Sequence, residues 1–304
     1  MKPILVAAFS AALLAAIAPP AMADLPVKYR APAGSPSDPD APPAGANDWG
    51  CRPSAERPRP VVLIPLTGGL MAVNWAALSP LLKNEGYCVF ALNYGAYRSP
   101  LGQRYNGGQP VESSAAELAA FVDRVRAATG AEQVDLVGQS QGGILAEYYV
   151  KFLGGAPYVR HVVGLASPTK GGTLSGLLRA AANLRRTSPA LGNALWGLVR
   201  GEAPSMLQLA VGSPFVAKLN SVREPEGVRY TKIASRWDPV ATPYRNVFID
   251  GADNVLLQRR CRLEFSDHGG MAFSRIALRE VLNGLDPANA RRIRCVLVLP
   301  GVGG

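Results

Sequence analysis

Gly138-Gln139-Ser140-Gln141-Gly142 sets a serine between glycines, after an apolar run and before a helical one. A serine hydroxyl is a weak nucleophile in water. It becomes useful when a sharp turn presents it to a base and backbone N–H groups converge on the same spot. The G-x-S-x-G spacing does this on a strand-to-helix turn: the glycines let two backbone segments approach, and the new helix N-terminus adds positive potential. Ser140 is therefore the candidate nucleophile of an acyl transfer. The pentapeptide alone is a weak signal. Its context supplies the rest, because Val134–Val137 reads as a strand and Ile144–Phe152 as a helix.

The chain holds two histidines, so the base is nearly forced. His161 opens a predicted strand so soon after Ser140 that little room remains for an acid between them, and it reads as a strand-edge histidine. His268, in Ser266-Asp267-His268-Gly269-Gly270, sits in a loop between the last predicted strand and the last helix, where an imidazole can reach the C-terminal edge of a sheet. For the acid, Asp238 follows the run Arg229–Ala234; a carboxylate there can fix the His268 tautomer and stabilise the imidazolium. Asp250 and Asp253 are rivals closer to the next strand, and Asp267 is too near His268 to face its ring. Donors for the developing oxyanion are expected from the Gln141 N–H and from Thr67, in the loop Thr67-Gly68-Gly69 after the first strand.

These groups need a scaffold that brings distant segments to one rim. Apolar β-type runs occur at Val61–Ile64, Tyr87–Leu92, Val134–Val137, His161–Leu165, Arg229–Ala234 and Val255–Leu257. Helical patterns lie between them: around Trp75–Asn84, after a capping box Ser114-Ala115-Ala116-Glu117 with the stripe Leu118, Phe121, Val122, Val125, and at Ala272–Leu285. Gly130 is expected to stop the second of these. Alternating strands and helices imply an α/β fold, a mostly parallel central sheet with helices on both faces. From about 170 to 220 the rhythm breaks into a Leu-, Ala- and Gly-rich insert, with helical patches at Leu174–Leu184 and Ala194–Val199, expected as a helical cap over the sheet.

The composition of the 304 residues is 48% hydrophobic and 18% charged, enough for a core and too apolar for a disordered chain. Gly 32 and Pro 26 show no fixed period, which excludes collagen-like and coiled-coil chains. The formal charge of +10 comes from scattered cations such as Arg160, Arg185, Arg259 and Arg291, with no nucleic-acid module around them. Residues 1–23 read as a signal peptide: Lys2, an apolar run Ile4–Ile17 too short to span a membrane, and Ala21-Met22-Ala23 as cleavage site. No later stretch is long enough for a transmembrane span. Residues 24–48, rich in Pro, Ala, Gly and Ser, are expected as an extended, poorly ordered leader, and 49–304 as one catalytic domain. Four cysteines in an exported chain suggest two disulfides, with three pairings open. Zinc spacing is absent, no calcium ligand cluster stands out, and nothing requires an organic cofactor.

Taken together, Ile64-Pro65-Leu66-Thr67-Gly68, Gly138–Gly143, Ala166–Thr173, Trp237-Asp238-Pro239-Val240-Ala241-Thr242-Pro243 and Asp267-His268-Gly269 resemble the secreted class 2 lipases of the α/β-hydrolase fold, the Candida antarctica lipase B type. The resemblance runs from about Trp49 to Pro300. It implies a triacylglycerol lipase or esterase, with Ser140, Asp238 and His268 as triad and Thr67 and Gln141 as oxyanion hole. It also implies disulfides Cys51–Cys88 and Cys261–Cys295, and a lipid or other ester substrate met at a lipid–water interface. Within the insert, Leu174, Leu177, Leu178, Leu198 and Val199 are candidate walls of the acyl pocket, or else the insert's own core. One departure stands out: many relatives carry His-Gly before the oxyanion threonine, whereas this chain has Pro65-Leu66, and Leu66 is expected either to alter the loop backbone or to narrow the acyl site. An acyltransferase on the same acyl-enzyme, or a secreted binding protein on an inactive hydrolase fold, are the competing readings.

Overall fold

The computed structural model describes residues 23–304 except 35, 101, 103, 174, 177–183, 185, 191–192, 194–196, 198–203 and 302. Continuous aliphatic runs make strands that are covered on both faces. Val61–Ile64 forms β1 and Val89–Ala91 β2. The short hairpin β3 (Tyr97–Arg98) and β4 (Arg104–Tyr105) follows. Next come β5 (Val134–Gln139), β6 (Val159–Leu165), β7 (Arg229–Ala234) and β8 (Asp253–Leu256). Six of them pair in the order β2-β1-β5-β6-β7-β8, every neighbour parallel.

Parallel neighbours cannot be joined by tight turns, so helices carry the chain back across the sheet. These are α1 (Met71–Asn74), α2 (Leu78–Asn84), α3 (Val111–Thr129), α4 (Gln141–Phe152), α5 (Pro204–Gln208), α6 (Pro214–Leu219), α7 (Leu257–Arg260) and α8 (Arg275–Leu285). Because side chains alternate along a strand, the sheet divides its apolar residues between two cores. Val61, Leu63, Val137, Val163 and Ile233 pack with Trp75, Leu78, Ile276 and Val281 on one face. On the other, Val62, Ile64, Leu136 and Val162 meet Leu118 and Val122 of α3 and Ile144 and Leu145 of α4. Beneath α4 lies a buried ion pair, Glu147 with Lys232 of β7, and Thr169 Oγ1 donates to the same carboxylate oxygen at 2.8 Å. It ties α4 to β7.

Several boundaries differ from the sequence expectation for identifiable reasons. α3 starts at Val111, not at a Ser114 capping box. Its start is capped from a distant segment, Val111 N–H donating to Gln208 Oε1 at 2.8 Å, and Glu117 turns away to accept the Gly95 N–H at 3.0 Å. The expected helix Trp75–Asn84 begins at Leu78, after the separate short helix α1, and the last helix begins at Arg275, where the Ser274 side chain accepts from the Ala277 N–H. β8 ends at Leu256, and Leu257 opens α7. Gly130 ends α3 at φ 73°, as expected of a left-handed cap.

The described residues of segment 24–48 form no helix, yet they are fastened rather than free, which corrects the poorly ordered leader. Leu25 exchanges two hydrogen bonds with the Asn84 side chain, and Asn47 does the same with the Ala91 backbone. Val27, Tyr29 and Ala31 point into the core at a strand-like spacing of two. The disulfides are Cys51–Cys88 and Cys261–Cys295. Among the described residues no helix is long and apolar enough to cross a membrane.

His161 lies buried in β6, its Nε2 3.0 Å from Thr231 Oγ1. Burial, aided by Arg229, Arg59 and Arg160, pushes its pKa down to about 3. The unfolded chain therefore binds a proton there near pH 6.5 that the folded chain refuses until about pH 3. His161 should cost stability at about 1.4 kcal/mol per pH unit as pH falls through that window, and nothing above it. Urea denaturation of His161→Gln against wild type should show a shallower acid slope in the variant; parallel slopes would contradict this.

Candidate active site

The strand ends place the chemistry. β5 ends at Gln139, and Ser140 occupies the turn into α4 with φ 53° and ψ −122°, a sparsely populated conformation for a residue with a Cβ. The turn holds because its surroundings leave no alternative. A Cβ on Gly138 would stand 2.3 Å from the Gly142 carbonyl carbon, and one on Gly142 would stand 2.2 Å from the Ile64 oxygen. A Cβ on Gly143 would meet Ser167 Oγ at 2.4 Å. The Ser140 N–H is anchored to the Leu165 carbonyl at 2.8 Å.

Asp238 emerges four residues after β7. Its Oδ1 accepts the N–H groups of Val240 and Ala241 at 2.7 and 2.9 Å, which fixes the carboxylate. The other oxygen, Oδ2, lies 2.8 Å from His268 Nδ1. The carboxylate is buried and the imidazole largely so. The rival acids stand elsewhere. Asp267 Oδ1 accepts the Gly270 N–H at 2.7 Å, Asp253 stands on edge strand β8, and Asp250 precedes the turn at Gly251. His161 lies inside the sheet, away from this rim.

The His268 loop is braced from two sides. Ser235 Oγ donates to the Ser266 carbonyl at 2.7 Å, and buried Glu264 accepts from the Ser266 N–H and the Ser274 hydroxyl. A second brace was not foreseen from the sequence. Leu66 N–H donates to Asn74 Oδ1 (3.1 Å), Asn74 Nδ2 to Gln139 Oε1 (2.8 Å), and Gln139 Nε2 to the His268 carbonyl (2.6 Å). This relay runs from the loop after β1, past the serine turn, to the histidine. Its sequence signal is a glutamine closing β5 directly before the serine turn.

Thr67 lies in the loop after β1, whose Pro65 carbonyl is held by buried Tyr94 at 2.9 Å and whose Gly68 N–H donates to Asn106 at 2.8 Å. The Thr67 hydroxyl bonds the Gln141 side-chain oxygen, and the Gln141 Nε2, though buried, lacks a partner among the described residues. Gln141 opens α4, so its backbone N–H is one of the donors a helix leaves unpaired. Leu66 is half-buried in the same loop. Leu174, Leu177, Leu178, Leu198 and Val199 lie outside the described residues, so the expected pocket walls are not placed. Among the described residues no cluster of three or more His, Cys, Asp or Glu side chains could hold a metal ion.

A family profile described as lipase, class 2, matches residues 58–269. A triacylglycerol lipase of Pseudarthrobacter phenanthrenivorans is 35% identical over 74 residues, covering 24% of this chain and 21% of that protein. One of Burkholderia plantarii is 35% identical over 74 residues, with 18% of its own length covered. The matched stretch is thus about a fifth of the length of either relative. Aspergillus fumigatus lipase B superposes with a TM-score of 0.56 at 17% identity, over 80% of this chain and 55% of that one, a similarity of α/β-hydrolase fold.

Proposed function

The chain belongs to the class 2 lipase family, and from that premise we propose that it is an exported hydrolase of lipid carboxylic esters, working through Ser140, His268 and Asp238. The observation that carries this reading is the Asp238–His268 pair at 2.8 Å, its carboxylate locked by two backbone N–H groups, at the sheet rim that also bears Ser140. Ser140 Oγ forms a bond to the ester carbonyl carbon as its proton passes to His268 Nε2. The carbonyl electrons move to the oxygen, which accepts hydrogen bonds from the Thr67 and Gln141 N–H groups. On collapse the C–O bond to the alcohol breaks, and the leaving oxygen takes the Nε2 proton. Water then gives a proton to Nε2 as its oxygen bonds the acyl carbon; on collapse the C–Oγ bond breaks, Ser140 Oγ takes the Nε2 proton back, and the acid leaves. Asp238 keeps the Nδ1 proton in place throughout and stabilises the imidazolium.

Export is supported by residues 1–23 and by the two disulfides. The test is hydrolysis of p-nitrophenyl esters from short to long acyl chains, with products analysed with and without added glycerol. Release of free acid in both cases supports hydrolysis. Glycerol esters as the main product would mark a transferase, and inertness toward every ester a binding protein.

The relay through Gln139 gives a sharper expectation. Gln139→Met removes the tether on the His268 carbonyl and leaves every reacting group present. Turnover should fall about a hundredfold, the cost of a small misplacement, with KM nearly unchanged. Steady-state kinetics decide it: an equal rise in KM with kcat intact would assign Gln139 to binding instead.

A further inference from the structure

Eight large hydrophobic side chains are strongly exposed among the described residues, and four of them gather on one patch. Segment 263–265 lies parallel to the C-terminal segment 297–299. Val298 N–H donates to the Leu263 carbonyl, and Phe265 N–H donates to the Val298 carbonyl, both at 3.0 Å. Side chains alternate on such a ladder. Glu264 and Val298 point inward and are buried, so Leu263, Phe265, Leu297 and Leu299 share the outer face. Leu263, Leu297 and Leu299 are 49%, 54% and 48% exposed, and Trp237, 53% exposed, packs on Phe265 with ring centroids 5.6 Å apart. Within the patch, Trp237 stands one residue before Asp238 and Phe265 three residues before His268.

Cations frame it. Arg236 precedes Trp237, Arg262 precedes Leu263, and both are exposed. The disulfide Cys261–Cys295 then clasps two basic runs, Arg259-Arg260-Cys261-Arg262 and Arg291-Arg292-Ile293-Arg294-Cys295. Between them is a groove of about 880 Å³ lined by Arg259, Arg260, Arg291, Arg292 and Arg294. Glu280 in that groove is taken by Arg260, and Arg291 reaches out to Glu85. Among the described residues Arg236, Arg259, Arg262, Arg292 and Arg294 pair with no carboxylate. Apart from Glu280, Asp253 is the acidic residue lining the groove among the described residues.

We propose that this face docks the protein on an anionic lipid surface, the outer leucines and Trp237 entering the acyl boundary while the unpaired arginines meet phosphate headgroups. An apolar patch alone would accept many partners. A rim of uncompensated cations selects a surface of many negative charges, and its place beside the Asp238–His268 pair would set an ester next to Ser140. This deepens the ester-hydrolase reading and rests on it only for what happens after docking.

The test uses the full-length oxidised protein with Ser140→Ala, so that hydrolysis does not consume the vesicles. Flotation with phosphatidylcholine vesicles is compared with vesicles containing about one-third phosphatidylglycerol. Binding to the anionic vesicles should be about tenfold tighter, and should weaken as salt is raised from about 0.05 M to about 0.5 M. Leu297→Ser/Leu299→Ser and, separately, Arg262→Gln/Arg294→Gln should each lower it about tenfold. Made in the chain with Ser140 intact, both pairs should leave hydrolysis of soluble p-nitrophenyl acetate unchanged, which also reports that they fold. Binding indifferent to lipid charge, or unaltered by both pairs, overturns the proposal. An inert wild type on the soluble ester instead strikes the hydrolase reading, which the vesicle assay does not use.

Discussion

Ser140→Ala should slow hydrolysis of p-nitrophenyl butyrate by about a million-fold, with KM within a few-fold of wild type. The substitution removes one atom and no scaffold. Alanine keeps the Cβ that the turn at φ 53° already accommodates, and the crowding of Gly138 and Gly142 is untouched. What disappears is the oxygen that would carry the acyl group. Residual turnover would come from water attacking an ester still held by the oxyanion donors. Initial rates at high enzyme concentration measure the drop, and thermal melts check that the fold survives. A loss below about tenfold would mean that some other group takes the acyl chain.

Asp238→Asn is expected to lower kcat about 10,000-fold, for a reason specific to this loop. Both the Val240 and Ala241 N–H groups donate to Oδ1, so an asparagine must keep its oxygen there. Its NH₂ then faces His268 Nδ1, where Oδ2 stood at 2.8 Å. An amide donor in that position forces the proton onto Nε2, and the ring can no longer accept the Ser140 proton. KM should change little and the melting temperature hardly at all, since the backbone bonds to Oδ1 persist. A modest kinetic effect would mean that another carboxylate serves His268.

The parts of the molecule legible in the sequence are those whose cause is local. Val61–Ile64 and Arg229–Ala234 are strands with the expected bounds; for the first, a short apolar run between breakers has few other uses. The elbow was readable because its glycines are required by contacts within a few residues and with the neighbouring β1 end. Where the cause lies far along the chain, the reading failed. Ser114 through Glu117 has every mark of a helix start, yet Gln208 caps α3 three residues earlier and Gly95 takes Glu117. Segment 24–48 looks like a loose leader by composition, but its partners Asn84 and Ala91 cannot be inferred from composition. Within the site, His268 and Asp238 could be picked by elimination and chain order. Asn74 and Gln139 could not, because a buried amide has no pattern until its partners are known.

The central claim is that one serine in this chain is made nucleophilic by a remote imidazole. A fluorophosphonate reports on that property directly, without any assumption about substrate. Native protein should take up one equivalent, located by peptide mass spectrometry at Ser140, while acid-unfolded protein and the folded Asp238→Asn variant should react far more slowly. A folded wild type that stays unlabelled, or carries the phosphonate on a different residue, would contradict the account.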